Sequence, residues 1–193
     1  MTAVAGIRSA KLDTPLGPLV VIADDHALHF LGFADCCEHK NLNFGFVRRE
    51  IPCFPEDIAE NIGCLSDKLE TQGKTEVCPG MTKPMASIQR ELDAYFKGNS
   101  QEFKTPLCIR GSFFQTQVWE ELRRIPFGKT KSYQEIACAI DNPLACRAVG
   151  LANGANPFVI VIPCHRVIQA NGSLGGYSAG LHRKIWLLNH ERK

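Results

Sequence analysis

Hydrophobic positions in the first part of the chain come in two short runs. Leu19-Val20-Val21-Ile22-Ala23 is apolar, Ala27 to Phe33 is apolar but for His29, and Asp24-Asp25-His26 separates them. Apolar runs bounded by turn residues predict strands. With the turn-rich Asp13-Thr14-Pro15-Leu16-Gly17-Pro18 they predict an antiparallel hairpin region over residues 12–33. Residues 36–80 are poorly patterned, with a short helix expected near 57–69. The period then changes: Met85, Ile88, Leu92 and Phe96 recur at three- and four-residue steps, which predicts a helix over 83–97 that Gly98 ends. Residues 101–109 read as extended and lead into a second domain, with the boundary near Arg110-Gly111.

The second half has sharper punctuation. Val118, Leu122 and Ile125 share a face of a helix over 114–125, with Trp119 alongside, and Pro126-Phe127-Gly128 ends it. Ser132 and Glu135 form a capping box that opens a helix running to Ile140. After Asp141, Asn142 can cap and Pro143 can start a second short helix over 144–153. Two short helices joined by three residues make a helix-turn-helix. Gly154-Ala155-Asn156-Pro157 leads into Val159-Ile160-Val161-Ile162, an apolar run that predicts a fully buried strand ending at Pro163. The last helix is expected over 181–191, with Leu181, Ile185 and Leu188 facing the core. The predicted fold class is α+β: a small N-terminal antiparallel sheet domain with a helix over 1–110, and a mainly helical domain over 111–193.

The chemistry sits where the strand is expected to stop. Cys164, His165 and Arg166 interrupt an apolar run, so a reactive sulfur is delivered beside a base and a cation. A free thiol is only about 3% thiolate at neutral pH, with a pKa of about 8.5. His165 and Arg166 are candidates for raising that fraction. The 170–180 segment is rich in glycine and can wall a pocket for a flat ligand, but it lacks the phosphate-loop pattern. The second helix of the helix-turn-helix carries small residues, Ala145, Cys146, Ala148, Gly150 and Ala152, with Arg147 as its one long charged side chain. Small residues allow close packing, and they also allow a helix to approach the minor groove, about 6 Å wide.

Charge sharpens this picture. Residues 1–110 hold 12 basic and 15 acidic side chains, and residues 111–193 hold 10 and 5. A basic half that carries the chemistry suits a polyanion. Nine cysteines without a CxxC pair and without a secretory leader read as reduced thiols, in the cytoplasm or, for a eukaryote, the nucleus. Cys36, Cys37 and His39 could belong to a metal site, but no full ligand set is assignable, and neither metal nor cofactor is expected. No run of about 18 apolar residues is present, so no membrane partner is expected.

Pro163-Cys164-His165-Arg166-Val167 resembles the active-site signature of the O6-alkylguanine-DNA alkyltransferases. Tyr133, Arg147-Ala148-Val149-Gly150, Asn156-Pro157, Gly176-Tyr177-Ser178, Lys184 and His190-Glu191 continue the resemblance in order across residues 111–193, and Thr14-Pro15-Leu16-Gly17-Pro18-Leu19 extends it more loosely. The resemblance implies a ribonuclease H-like N-terminal domain and a winged helix-turn-helix C-terminal domain. It implies a monomer that binds duplex DNA in the minor groove, flips out an alkylated base, and moves the alkyl group from guanine O6, or thymine O4, irreversibly to Cys164. By the same resemblance His165 takes the thiol proton, Glu191 orients His165, and Tyr133 promotes extrusion and protonates the leaving base. Arg147 fills the space left in the duplex, with Asn142, Ala145 and Ala148 beside it on the DNA. Asn156, Pro163, Val167, Tyr177, Ser178 and Lys184 line the pocket.

Other classes compete. A non-catalytic helix-turn-helix regulator would bind DNA without a reactive thiol. A papain-like hydrolase holds its Cys and His far apart in sequence, whereas Cys164 and His165 are adjacent. A non-catalytic lesion sensor of the same family lacks the acceptor cysteine, which is present here.

Overall fold

The computed structural model describes residues 6–39 and 80–192, and side chains from 6 to 36 and 80 to 192. The helix expected near 57–69 and the side chains of Cys37 and His39 lie outside the described residues. Among the described residues no group of three or more His, Cys, Asp or Glu side chains is placed to hold a metal, and no helix is long and apolar enough to cross a membrane.

Three antiparallel strands form the N-terminal sheet: β1 (Arg8–Leu12), β2 (Leu19–Ala23) and β3 (Leu28–Phe33). Leu12 pairs with Leu19, and Leu19 with Phe33. β1 was not foreseen, since its Arg-Ser-Ala-Lys-Leu has no apolar run. β2 and β3 are buried along their whole length, which is why they read as continuous apolar runs rather than alternating ones. Helix α1 (Ala34–His39) follows β3 directly. Helix α2 (Lys83–Phe96) packs on β2 and buries Met85, Ile88, Leu92 and Tyr95. Thr82 caps it, and Gly98 beyond it takes φ +75°.

The free edge of β3 is covered from both directions. Leu28 N donates to Pro106 O at 2.8 Å and Cys108 N donates to Leu28 O at 2.7 Å. Further along, Leu31 N donates to Pro157 O and Val159 N to Leu31 O, both at 2.9 Å. An exposed strand edge invites foreign pairing; here the connecting segment and the segment before Cys164 occupy it. One hydrophobic cluster therefore runs from the sheet through α2 into the C-terminal half.

In that half, helix α3 (Phe113–Arg123) starts on a capping box of Ser112 and Gln115 and buries Val118, Trp119 and Leu122. Strand β4 (Lys131–Ser132) leads into helix α4 (Tyr133–Ala139), opened by the expected Ser132–Glu135 capping box. Helix α5 (Cys146–Gly154) completes the helix-turn-helix. It begins later than expected: Ala145 N donates to Asn142 O at 3.0 Å, so Asn142 to Ala145 form a turn, and Asn142 is not the cap. Ala152 is buried and its carbonyl accepts from Trp119 Nε1 at 2.9 Å. Close packing thus explains Ala152, while Arg147 and Ala148 face outward.

The expected strand over 159–162 is instead a buried coil of turns. Ile162 N donates to Phe158 O, Val161 N to Val159 O and Cys164 N to Ile162 O, at 2.8–2.9 Å. Asn156 braces the coil. Its Nδ2 donates to Ile162 O at 2.7 Å and Phe158 O at 3.3 Å, and its Oδ1 accepts from Phe158 N at 2.9 Å. One buried amide thereby satisfies backbone groups at both ends of the coil. Ile160 pays with φ +71°, a conformation costly for a β-branched residue.

Helix α6 (Leu181–His190) also differs from expectation. Leu181 and Ile185 are exposed, and the buried face carries Arg183, Lys184 and Leu187 with Leu188. Buried charges are tolerated when fully hydrogen-bonded. Arg183 donates to Leu16 O and Ala179 O and pairs with Asp35 at 2.8 Å. Lys184 is equally well partnered.

Candidate active site

Pro163 ends the coil, and a single 3-10 turn (Cys164–Arg166) follows, leading into strand β5 (Val167–Ile168), which pairs in parallel with β4. All three residues of the turn are buried. Cys164 is 1% exposed, and its Sγ faces Tyr177 Oη at 3.9 Å. Burial pushes the thiol up, and the Asn156 and Tyr177 side chains and the Lys184 charge offset this only partly. At rest the sulfur is therefore a neutral thiol, and neither His165 nor Arg166 raises its thiolate fraction.

The base beside it is poised differently. His165 is fully buried, and burial lowers its pKa, with Glu191 opposing and Arg166 and Lys184 adding to the effect. The ring is thus neutral at pH 7. Its Nε2 lies 2.9 Å from Glu191 Oε1. For Glu191, burial alone would raise the carboxyl, but hydrogen bonds from His165 and Arg166 outweigh it and hold it well below the usual carboxylate range. A carboxylate can only accept, so Nε2 carries the hydrogen and Nδ1 carries the lone pair. Nδ1 is buried without a hydrogen-bond partner among the described residues.

Arg166 does not tune the sulfur. Its Nε and Nη2 fork onto the two oxygens of Glu191 at 2.8 and 2.9 Å, and Nη1 donates to Ile125 O at 2.6 Å. Glu191 is fixed although it lies at a helix end. Tyr95 Oη donates to its Oε1 at 2.7 Å and Gly128 N to its Oε2 at 3.3 Å. Gly128 has φ +71°, and a Cβ there would lie 2.6 Å from Glu191 O, so only glycine allows this approach.

Lys184, which on an exposed helix face would be solvated, is fully buried. Its Nζ donates to Val167 O at 2.6 Å, to Leu174 O and to Gly176 O at 3.4 Å. Three donors meet three carbonyls, which pins the glycine-rich loop to β5. Burial pushes the ammonium down to about 8, with the Cys164 charge opposing.

Tyr133, first residue of α4, lies between α5 and that loop. A Cβ at Gly175 would sit 3.4 Å from its ring, and one at Gly150 3.9 Å. Burial raises its phenol, and the Cys164 charge raises it further. Ser178 O accepts from the Cys36 thiol at 3.8 Å, which ties the loop to the N-terminal half.

The structure thus gathers Cys164, His165, Glu191, Asn156, Pro163, Val167, Tyr177, Lys184 and Tyr133 around one turn. Arg147, Ala148 and Asn142 are exposed, and Ala145 half-buried, on the outer side of the helix-turn-helix. Sequence reasoning missed Asn153, whose Nδ2 reaches Cys164 O at 3.4 Å and links α5 to the nucleophile. It also missed Tyr95. A cavity of about 380 Å³ lies behind the turn, lined by Phe103, Phe127, Pro163 and Arg166 among others, away from Tyr133 and Tyr177.

A helix-turn-helix joined to a buried Cys-His-Glu array defines a nucleic-acid-binding protein with a nucleophilic thiol. The chain belongs to the 6-O-methylguanine DNA methyltransferase family: residues 7–109 match its ribonuclease-like domain and residues 113–193 its DNA-binding domain. It is 40% identical over 186 residues to the methylated-DNA--protein-cysteine methyltransferase of Salmonella typhimurium, covering 94% of this chain and 93% of that one. The crystal structure of Mycobacterium tuberculosis O6-methylguanine methyltransferase superposes with TM-score 0.71 at 35% identity, covering 96% of this chain and 93% of that one. The same enzyme in complex with DNA superposes with TM-score 0.68 at 36% identity, covering 94% and 91%.

Proposed function

We propose that this chain repairs duplex DNA by taking the alkyl group from O6 of guanine, and by the same chemistry from O4 of thymine, onto its own Cys164, acting once as a monomer. The observation that carries the reading is the buried Cys164 beside a neutral His165 whose Nε2 is held by Glu191 at 2.9 Å. A non-catalytic regulator has no use for a buried imidazole–carboxylate pair on the turn that carries a buried thiol.

A base inside a duplex is out of reach of this sulfur, so it must leave the stack, at a cost of a few kcal/mol. Helix α5 presents Arg147 and Ala148 outward, flanked by Leu144 and Leu151, which are 97% and 74% exposed. Small and apolar side chains there suit close entry into the minor groove, and Arg147 fills the vacated space. Tyr133 crowds the backbone next to the target and favours extrusion.

The transfer itself is an in-line displacement. His165 Nδ1 takes the Cys164 proton, directly or across one water, as the base approaches. The sulfur forms a bond to the alkyl carbon while the carbon–oxygen bond breaks, and that electron pair goes to the purine. Tyr133 supplies a proton to the ring, so a neutral guanine leaves and a thioether remains. A thiol that is neutral until the base is seated is protected from stray electrophiles. Lys184 and Asn156 hold the loop and the turn in place while this happens.

The test is intact-mass measurement after incubation with a duplex carrying one O6-methylguanine. A gain of one methyl that maps to Cys164, lost in Cys164→Ser while DNA binding survives, is the expected result. Label on any other residue, or DNA binding without transfer by the unaltered chain, contradicts it.

A further inference from the structure

We propose that Tyr95, contributed by the N-terminal half, is a positioning residue for alkyl transfer: its phenol fixes the Glu191 carboxylate on His165 and limits how strongly that carboxylate draws the imidazole hydrogen. This rests on the reading of Cys164 as the alkyl acceptor.

Glu191 Oε1 receives three donors: Tyr95 Oη at 2.7 Å, His165 Nε2 at 2.9 Å and Arg166 Nη2 at 2.9 Å. An oxygen shared three ways gives less to each donor than one shared two ways. Tyr95 is 1% exposed, and it is locked by more than this bond. Its carbonyl accepts from His190 Nε2 at 2.8 Å, and its ring meets Phe103, Phe127 and His190 at centroid distances of 5.2–6.0 Å. A buried tyrosine hydroxyl needs a partner, and this one has chosen the relay carboxylate.

Glu191 caps the last helix, and helix ends fray. The phenol therefore acts as an anchor reaching across from α2. Transfer becomes dependent on the N-terminal half being seated, although that half carries no reacting atom. The groups facing the relay are few. Arg166 and Cys164 lie on the same turn, Lys184 and His190 on α6, Tyr95 on α2 and Tyr177 on the glycine-rich loop. The Phe127-Gly128 segment adds only a backbone N–H, and the connecting segment only Phe103.

Tyr95→Phe removes the hydroxyl and keeps the ring. With one donor gone, Oε1 draws harder on His165, and the imidazole holds a proton to higher pH. Since only neutral His165 accepts the thiol proton, the acidic limb of the transfer-rate profile moves up by about half a unit or more. On that limb the single-turnover rate on methylated duplex falls about threefold or more, and the gap closes toward pH 8.

Phe96→Leu, on the same helix, controls for packing: it lowers the melting temperature and leaves the profile in place. A Tyr95→Phe profile that superimposes on the unaltered protein's overturns the role. So does a rate loss equal at every pH, or a chain that no longer folds, since only one hydroxyl was removed. Absence of transfer by the unaltered protein is a separate result: it removes the function itself, and the role with it.

Discussion

Helix α5, on the outer side of the helix-turn-helix, and the turn that carries the sulfur are joined by one buried amide, Asn153, yet they are built on opposite terms. α5 holds Arg147 and Ala148 in the open, with Leu144 and Leu151 beside them, and nothing in the fold depends on their tips. Around the nucleophile turn, His165, Arg166, Lys184 and Glu191 are buried and hydrogen-bonded inside the protein. Binding a long polymer calls for an accessible face. Activating a thiol only at the moment of use calls for a dry site in which charge is already balanced. The two tasks therefore separate in their response to mutation: changes at the turn reach stability and chemistry together, and changes on the helix reach DNA alone.

Glu191→Gln attacks that separation most heavily. It leaves the Arg166 guanidinium buried without its counter-charge, a loss of about 3–5 kcal/mol, and single-turnover transfer should fall at least about a hundredfold. Thermal denaturation and rapid-quench assays read the two effects. A stable, active variant would mean that the buried network is decoration.

Lys184→Met comes next. Three carbonyls lose a charged donor, and hydrogen bonds to charged groups are worth about 1.5–3 kcal/mol, so a loss of about 2 kcal/mol in a urea melt is expected. Slower transfer should accompany it as the glycine-rich loop loosens. DNA affinity measured by anisotropy should hold.

Acid titration separates the regions without mutation. A carboxyl whose pKa is depressed in the folded state contributes stability above its unfolded value, about 4.3 for glutamate. That contribution is lost as pH falls below this value toward the folded one. Glu191 lies well below the usual range, so the unaltered protein should lose stability steadily on acidification below about pH 4.3. Glu191→Gln should show a shallower fall. Arg147→Ala should follow the unaltered curve.

The smallest effect on the fold belongs to Arg147→Ala. Its side chain is exposed, and such changes usually stay within about 0.5 kcal/mol. Transfer from duplex should nevertheless drop about tenfold or more, while transfer from a free O6-alkylguanine base should not change.

Much of this was legible in the chain. Apolar runs, the second broken only by His29, predicted β2 and β3, and the three- and four-residue spacing predicted α2. Ser132 and Glu135 announced the start of α4. The Cys164-His165 pair stood out because polar residues broke an apolar run. What escaped notice was long-range satisfaction of polar groups. Val159 to Ile162 has the composition of a strand, but its amides turn back onto Val159 O and Phe158 O while Asn156 takes Ile162 O, and composition does not record that. Lys184 was placed at the pocket by resemblance alone, and the burial of Arg183 left no local signal, because Leu16 and Asp35, which hold it, lie far away in sequence. Tyr95 did leave a trace. A tyrosine on the apolar stripe of α2 must place its hydroxyl somewhere, and asking where would have led across the molecule to Glu191.

The central claim is that one buried sulfur accepts one alkyl group and is then spent. Titration of the protein with a tenfold excess of duplex bearing a labelled O6-methylguanine tests it most directly. Uptake should rise in a single phase and stop at one methyl per chain, held through denaturation as a thioether on Cys164. Continued release of methyl beyond one equivalent, or label that washes away on unfolding, would contradict it.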